Sequence, residues 1–108
     1  METNGQIMIK LWLDDIRTPL DNSWTWAKTC DEALEYITKN VVSEISFDHD
    51  LGTEQTGYSV AKAIEHYAYY DIVSRMVWYI HSANPVGRRN IEQAMQSADR
   101  FWASHEDK

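Results

Sequence analysis

Cysteine is nearly absent from this sequence. Cys30 stands alone among 108 residues, so no disulfide can close within the chain, and a reducing, cytoplasmic setting is expected. Two prolines and four glycines are few, which excludes a Pro/Gly-rich low-complexity chain and leaves room for regular elements. Positive charge is also scarce. Ten Lys and Arg face seventeen Asp and Glu, a formal net charge of -7. Such a surface repels a phosphate backbone, so extended nucleic-acid binding is not expected. No apolar run approaches the about 20 residues that cross a bilayer, and no basic-then-apolar leader is read at the start, so no membrane association is expected.

What is present is the composition of one ordinary globular domain. Hydrophobic residues make up 44% and charged residues 25%, the balance of a chain with a single modest core. The domain is read as spanning 1–108, with 1–6 and 104–108 frayed. Five Trp and six Tyr are many for the length. Most are expected to fill the core and pack the sheet faces. Tyr67, Tyr69, Tyr70 and Trp102 alternatively form an apolar surface patch able to support a homodimer.

Strand and helix patterns alternate along the chain. Residues 7–13 and 41–47 are nearly continuous apolar runs, as strands covered on both faces should be. Residues 76–80 form another such run, and Trp24-Thr25-Trp26-Ala27 reads as a short strand. Residues 17–23 are turn-rich and exclude a helix of useful length there. Thr29-Cys30-Asp31-Glu32 matches a capping box, followed by the buried stripe Ala33, Leu34 and Ile37. Residues 58–70 are helical, with Val60, Ala61, Ile64, Tyr67 and Ala68 on one face. Asn84-Pro85 opens a last helix whose buried face reads Ile91, Ala94, Met95, Ala98, Phe101 and Trp102. The alternation predicts an α/β three-layer fold with a mainly parallel four-stranded sheet.

Three polar clusters end three of the apolar runs: Asp14-Asp15, Asp48-His49-Asp50 and His81-Ser82-Ala83-Asn84. In a parallel sheet the carboxyl ends of strands share one edge, where ligands bind, so the clusters should converge. Asp14, Asp15 and Asp48 suit a hard divalent cation such as Mg²⁺ or Mn²⁺, because adjacent carboxylates repel unless neutralised. Asp50 is either a fourth ligand or a loop cap. Imidazole titrates near neutrality as a residue type, so His49 and His81 suit proton transfer, or else serve as a ligand or a packing residue. Arg17 and Arg88 match phosphate oxygens bidentately, although Arg17 equally suits charge balance beside the acidic pair. Ser82 and Asn84 either donate to a phosphoryl group or shape the turn before Pro85.

The motifs Leu13-Asp14-Asp15-Ile16-Arg17-Thr18-Pro19, Phe47-Asp48-His49-Asp50-Leu51-Gly52 and His81-Ser82-Ala83-Asn84-Pro85-Val86-Gly87-Arg88 place the chain beside known receivers. It resembles the response-regulator receiver (flavodoxin-like) fold and, more narrowly, the cyclic-phosphate-processing receiver-like domains. Eight residues, 16–23, separate Asp15 from Trp24, too few for the crossover of a dozen or more that a parallel pair usually needs. The first receiver helix is therefore expected to be missing, as are the fifth strand and its lysine, and the direction of the second strand is left open. The resemblance implies a metal-assisted phosphoesterase acting on a small cyclic phosphate, such as a 2′,3′-cyclic nucleotide or an RNA terminus. In that reading Asp14, Asp15, Asp48 and Asp50 hold metal, His49 and His81 move protons, and Arg17, Ser82, Asn84 and Arg88 grip phosphate. The alternatives are a non-catalytic cyclic-phosphate sensor and a signalling receiver phosphorylated on Asp48.

Overall fold

Apolar runs and polar caps decide where each element starts and stops. The computed structural model describes residues 7–107; the fraying expected of 1–6 lies outside them. The elements run β1 (Ile9–Leu13), β2 (Trp24–Ala27), α1 (Cys30–Thr38), β3 (Val42–Phe47), α2 (Gly57–Tyr69), β4 (Val77–Ile80) and α3 (Pro85–Glu106). Thr29 caps α1, its hydroxyl accepting from Glu32 N at 3.1 Å, while the Glu32 carboxylate reaches back to Lys28 N at 2.7 Å. Asn84 caps α3 by accepting from Gly87 N at 3.0 Å, with Pro85 in the first turn. Its fixed φ and missing N–H cost nothing there.

The four strands form one sheet in the order β2-β1-β3-β4, and every neighbouring pair is parallel. That settles the direction of β2. It is a parallel edge strand, reached from β1 without an intervening helix. Ten residues, 14–23, make this crossover.

The helices all pack on one face of the sheet. Leu11, Leu13, Ala27, Ile45 and Phe47 from the strands join Ile37 of α1, Ile64 of α2, and Ile91, Met95 and Trp102 of α3 in one buried cluster. The register pairs Trp12 with Trp26 and Ser46, and Ser46 with Tyr79, so these alternate residues share the opposite face. Among the described residues no helix covers that side. The third layer expected there is a loop: Arg17 accepts a 2.9 Å hydrogen bond from the Trp12 indole through its carbonyl, and Leu20 lines a cavity with Trp24 and Tyr79.

Helix α3 continues through Ser104 and His105 to Glu106. His105 Nε2 lies 3.0 Å from the Ala68 and Tyr69 carbonyls, and Arg75 bridges Glu106 at 3.0 Å, so the last turn is tied to the end of α2 and the loop after it. Trp102 leaves the proposed surface patch. It is buried, donates to the Val73 carbonyl at 2.9 Å and lies under the Arg75 guanidinium, while Tyr69 and Tyr70 stay exposed. Trp102→Ala is expected to cost about 3–5 kcal/mol through cavity formation. The shift of the denaturation midpoint at constant slope measures it; a cost below about 1 kcal/mol would remove Trp102 from the cooperative core.

Candidate functional site

Hydrogen bonding of the sheet continues one residue past the strand ends. Asp14 N donates to Ala27 O at 3.1 Å, Asp48 N to Leu13 O at 2.8 Å and His81 N to Phe47 O at 2.9 Å. The three polar clusters thus stand side by side at the carboxyl edge of β1, β3 and β4. They wall a cavity of about 380 Å³ to which Asp14, Asp15, Arg17, Asp48, Asp50, Ser82 and Asn84 contribute. Carboxylate oxygens of Asp14, Asp15 and Asp48 all lie within 4.8 Å of one another.

The three carboxylates are not equivalent. Asp14 is buried, which pushes its pKa up, yet hydrogen bonds outweigh the burial and hold it below its ordinary value. Ile16 N and Arg17 N donate to Oδ1 at 2.9 and 2.8 Å, and His81 Nε2 lies 3.0 Å from Oδ2. Asp48 is driven the other way. Burial and then the charge of Asp14 raise its pKa, against weaker help from the His49 N–H, His81 and Arg17. Among the described residues the one guanidinium within 4 Å is that of Arg17, whose Nη2 stands 3.9 Å away on a side chain 55% exposed. Asp48 is thus a buried acid short of compensation, the condition a cation relieves. Asp15 lies against Gly52, whose φ of 72° favours glycine and whose added Cβ would come 3.1 Å from Asp15 Oδ2.

His81 is held at both nitrogens. Nε2 meets Asp14, Nδ1 lies 2.8 Å from Ser46 Oγ, and the ring stacks on Trp12 with centroids 3.9 Å apart. Burial lowers its pKa despite the opposing pull of Asp14 and Asp48. The neutral ring with Nε2–H toward the ionised Asp14 and Nδ1 accepting from Ser46 satisfies every partner. Such an imidazole orients Asp14, as a hydrogen-bonded neighbour orients a ligating group. Its ring forms part of a second cavity on the helix-free face.

His49 pairs with Asp50, Nδ1 to Oδ1 at 3.1 Å, and packs against Gly87, where an added Cβ would come 2.3 Å from the ring. Asp50 lines the acidic cavity but stands outside the three-carboxylate group. Arg17 reaches three ways, toward Asp14, Asp48 and the His81 carbonyl. Arg88 instead donates from Nη1 to the Ile80 and Ser82 carbonyls at 2.9 and 3.2 Å, tying the end of β4 to the start of α3. The buried Ser82 hydroxyl accepts from Asn84 N at 3.1 Å, and Asn84 Oδ1 caps α3, which leaves the Asn84 amide nitrogen 3.5 Å from Asp50 Oδ2. Turn-shaping and cavity-lining coexist in both residues.

Sequence reading overlooked Ser46, Trp12 and Trp26, the last of which donates to the Asp14 carbonyl at 2.7 Å. The available signal was Ser46, a hydroxyl inside an apolar strand run two residues before Asp48. Alternation puts it on the helix-free side.

A family profile described as Cyclic-phosphate processing Receiver domain matches residues 9–97. No curated protein and no solved structure matches the chain.

Proposed function

This chain belongs to the cyclic-phosphate processing receiver family, and from that premise we propose that it binds and hydrolyses a small cyclic phosphate in the acidic cavity. The observation that carries the reading is Asp48, a buried and undercompensated carboxylate within 4.8 Å of Asp14 and Asp15. Asp14, Asp15 and Asp48 would hold Mg²⁺ or Mn²⁺, which when bound neutralises their charge and polarises a phosphoryl oxygen. Arg17 faces the same space and suits the remaining phosphate oxygens, with the Ser82 hydroxyl and the Asn84 amide as donors. Arg88 serves the fold in this scheme.

Hydrolysis bonds a water oxygen to phosphorus while one ring P–O bond breaks, so a proton must leave the water and another must reach the alkoxide. Neither His81 nor His49 lines the cavity; of the two, His49 is the candidate for that traffic. Its Nδ1 is paired with the cavity-lining Asp50, and among the described residues its Nε2 makes no hydrogen bond. His81 acts as a positioning residue for Asp14.

Incubating the chain with 2′,3′-cyclic nucleotides and glycerol cyclic phosphate, with Mg²⁺ or Mn²⁺ and then with chelator, tests this by chromatography and mass spectrometry. Metal-dependent ring opening, reduced at least about tenfold in His49→Ala, is expected. The commitment of both His81 nitrogens favours a second reading, a sensor that binds the cyclic phosphate intact. Metal-dependent binding without opening of any substrate would establish that reading instead.

A further inference from the structure

The helix-free face of the sheet holds an aromatic groove lined by Trp12, Trp24, Tyr79 and His81. We propose that this groove, walled by Trp12, Trp24, Tyr79 and His81, receives the nucleobase of the ligand whose cyclic phosphate occupies the acidic cavity. The inference rests on the function proposed above and narrows its substrate from any cyclic phosphate to a nucleoside one.

Three observations carry it. An all-parallel sheet is ordinarily covered on both faces, yet here Tyr79 is 48% and Leu20 78% exposed around the groove. The groove measures about 340 Å³, at the small end of the about 300–1,000 Å³ of small-molecule sites. That is room for one ring system, and too little for a helix or strand of a partner. Its walls are π-systems set at angles to one another: Trp24 stands edge-on to Trp12 at 70° and to Tyr79 at 76°. His81 stacks on Trp12 at 3.9 Å and Lys10 Nζ lies 4.6 Å over Trp24, so the half-exposed Tyr79 is the ring that offers a heteroaromatic guest offset or edge-on contact.

Position links the groove to phosphate. His81 links the two cavities: its ring lines the groove, and its Nε2 lies 3.0 Å from Oδ2 of Asp14, which lines the acidic cavity. The Trp12 indole also donates to the backbone of Arg17, which lines the acidic side. A nucleoside cyclic phosphate carries base and phosphate on one sugar, as that adjacency requires. The Ser46 hydroxyl is engaged by His81, so the groove reads ring faces and tolerates different bases.

Calorimetric titration of the full chain in Mg²⁺ with 2′,3′-cyclic AMP, 2′,3′-cyclic UMP, glycerol 1,2-cyclic phosphate and adenosine tests the proposal. Both nucleotides should bind about five- to 150-fold tighter than the glycerol compound, the worth of one stacked base. Tyr79→Ala and Trp24→Ala should each erode that advantage without changing affinity for the glycerol compound. Tyr79 is half-exposed, so its variant keeps the test valid if Trp24→Ala fails to fold. Equal affinity for nucleotide and glycerol compounds, or folded variants that bind nucleotide as the parent does, overturns the groove and leaves the phosphate reading standing. Adenosine binding lost in Tyr79→Ala, with no cyclic phosphate bound, supports the groove and removes the phosphate reading. No binding of any probe overturns both.

Discussion

Asp48→Asn is expected to weaken Mg²⁺ or Mn²⁺ binding by about a hundredfold or more, because losing even an outer-shell partner of a metal ligand costs about 10–100-fold. The same substitution should make the metal-free chain more stable. Burial and the neighbouring Asp14 raise the pKa of Asp48 above its ordinary 3.8, so the folded state is penalised for holding this group ionised. The sign follows from proton counts. With the folded pKa above the unfolded one, the folded state binds more protons between them, and stability is lost as pH rises through that window. In chelator, the Asn variant should therefore melt higher than the parent at pH 7, with the advantage fading as pH falls toward 3.8. Thermal melts at several pH values and a metal titration read the two effects separately. An Asn variant that binds metal as the parent does would remove Asp48 from the metal site.

Gly57→Ala is the second large effect expected, and it acts on the site through the backbone. A Cβ at Gly57 would lie 1.9 Å from the Asp48 carbonyl oxygen, 3.0 Å from its carbon and 3.2 Å from His49 Cα. Gly57 N also donates to His49 O at 2.8 Å, so the first turn of α2 is pressed onto the strand end that presents Asp48. Relief requires moving backbone on one side or the other. The expected cost is about 3 kcal/mol, the upper part of the range for overpacking, because no side chain can yield. Gly87→Ala offers the comparison. Its clash is closer to a movable group, the His49 ring at 2.3 Å, so it should cost less stability while displacing His49. Denaturation midpoints for the two variants give the order, and a larger loss at Gly87 would contradict it.

Much of the fold was legible along the chain because its signals are local. Thr29 and Glu32 form the capping arrangement their spacing promised, and Pro85 enters α3 behind Asn84. Ile91, Met95 and Trp102 are buried at the helical spacing they show in sequence. The absence of a first helix followed from the turn-rich 17–23 segment. Convergence of Asp14, Asp48 and His81 was also foreseeable, since parallel strands with polar ends share an edge.

The roles of those residues were less legible, because a role depends on which partner reaches a side chain first. His49 and His81 look alike in sequence, each beside a strand end. Tertiary contacts separate them: His81 is enclosed by Ser46, Asp14 and Trp12, from residues 35, 67 and 69 positions away, while His49 Nδ1 meets its neighbour Asp50 at 3.1 Å and the Asn84 amide at 3.5 Å. Arg88 Nη1 is engaged by the Ile80 and Ser82 carbonyls, contacts that sequence spacing did not reveal. The sequence by itself determined the element order, the caps, the buried stripes and the acidic edge, all set by near-neighbour spacing and strand polarity. Only the tertiary structure decided that the three helices crowd one face, that Asp48 lies buried without an adequate countercharge, and that the other face keeps an open aromatic groove. Those outcomes depend on how distant segments pack and on which charges packing removes from water, and neither is written in the spacing of neighbours.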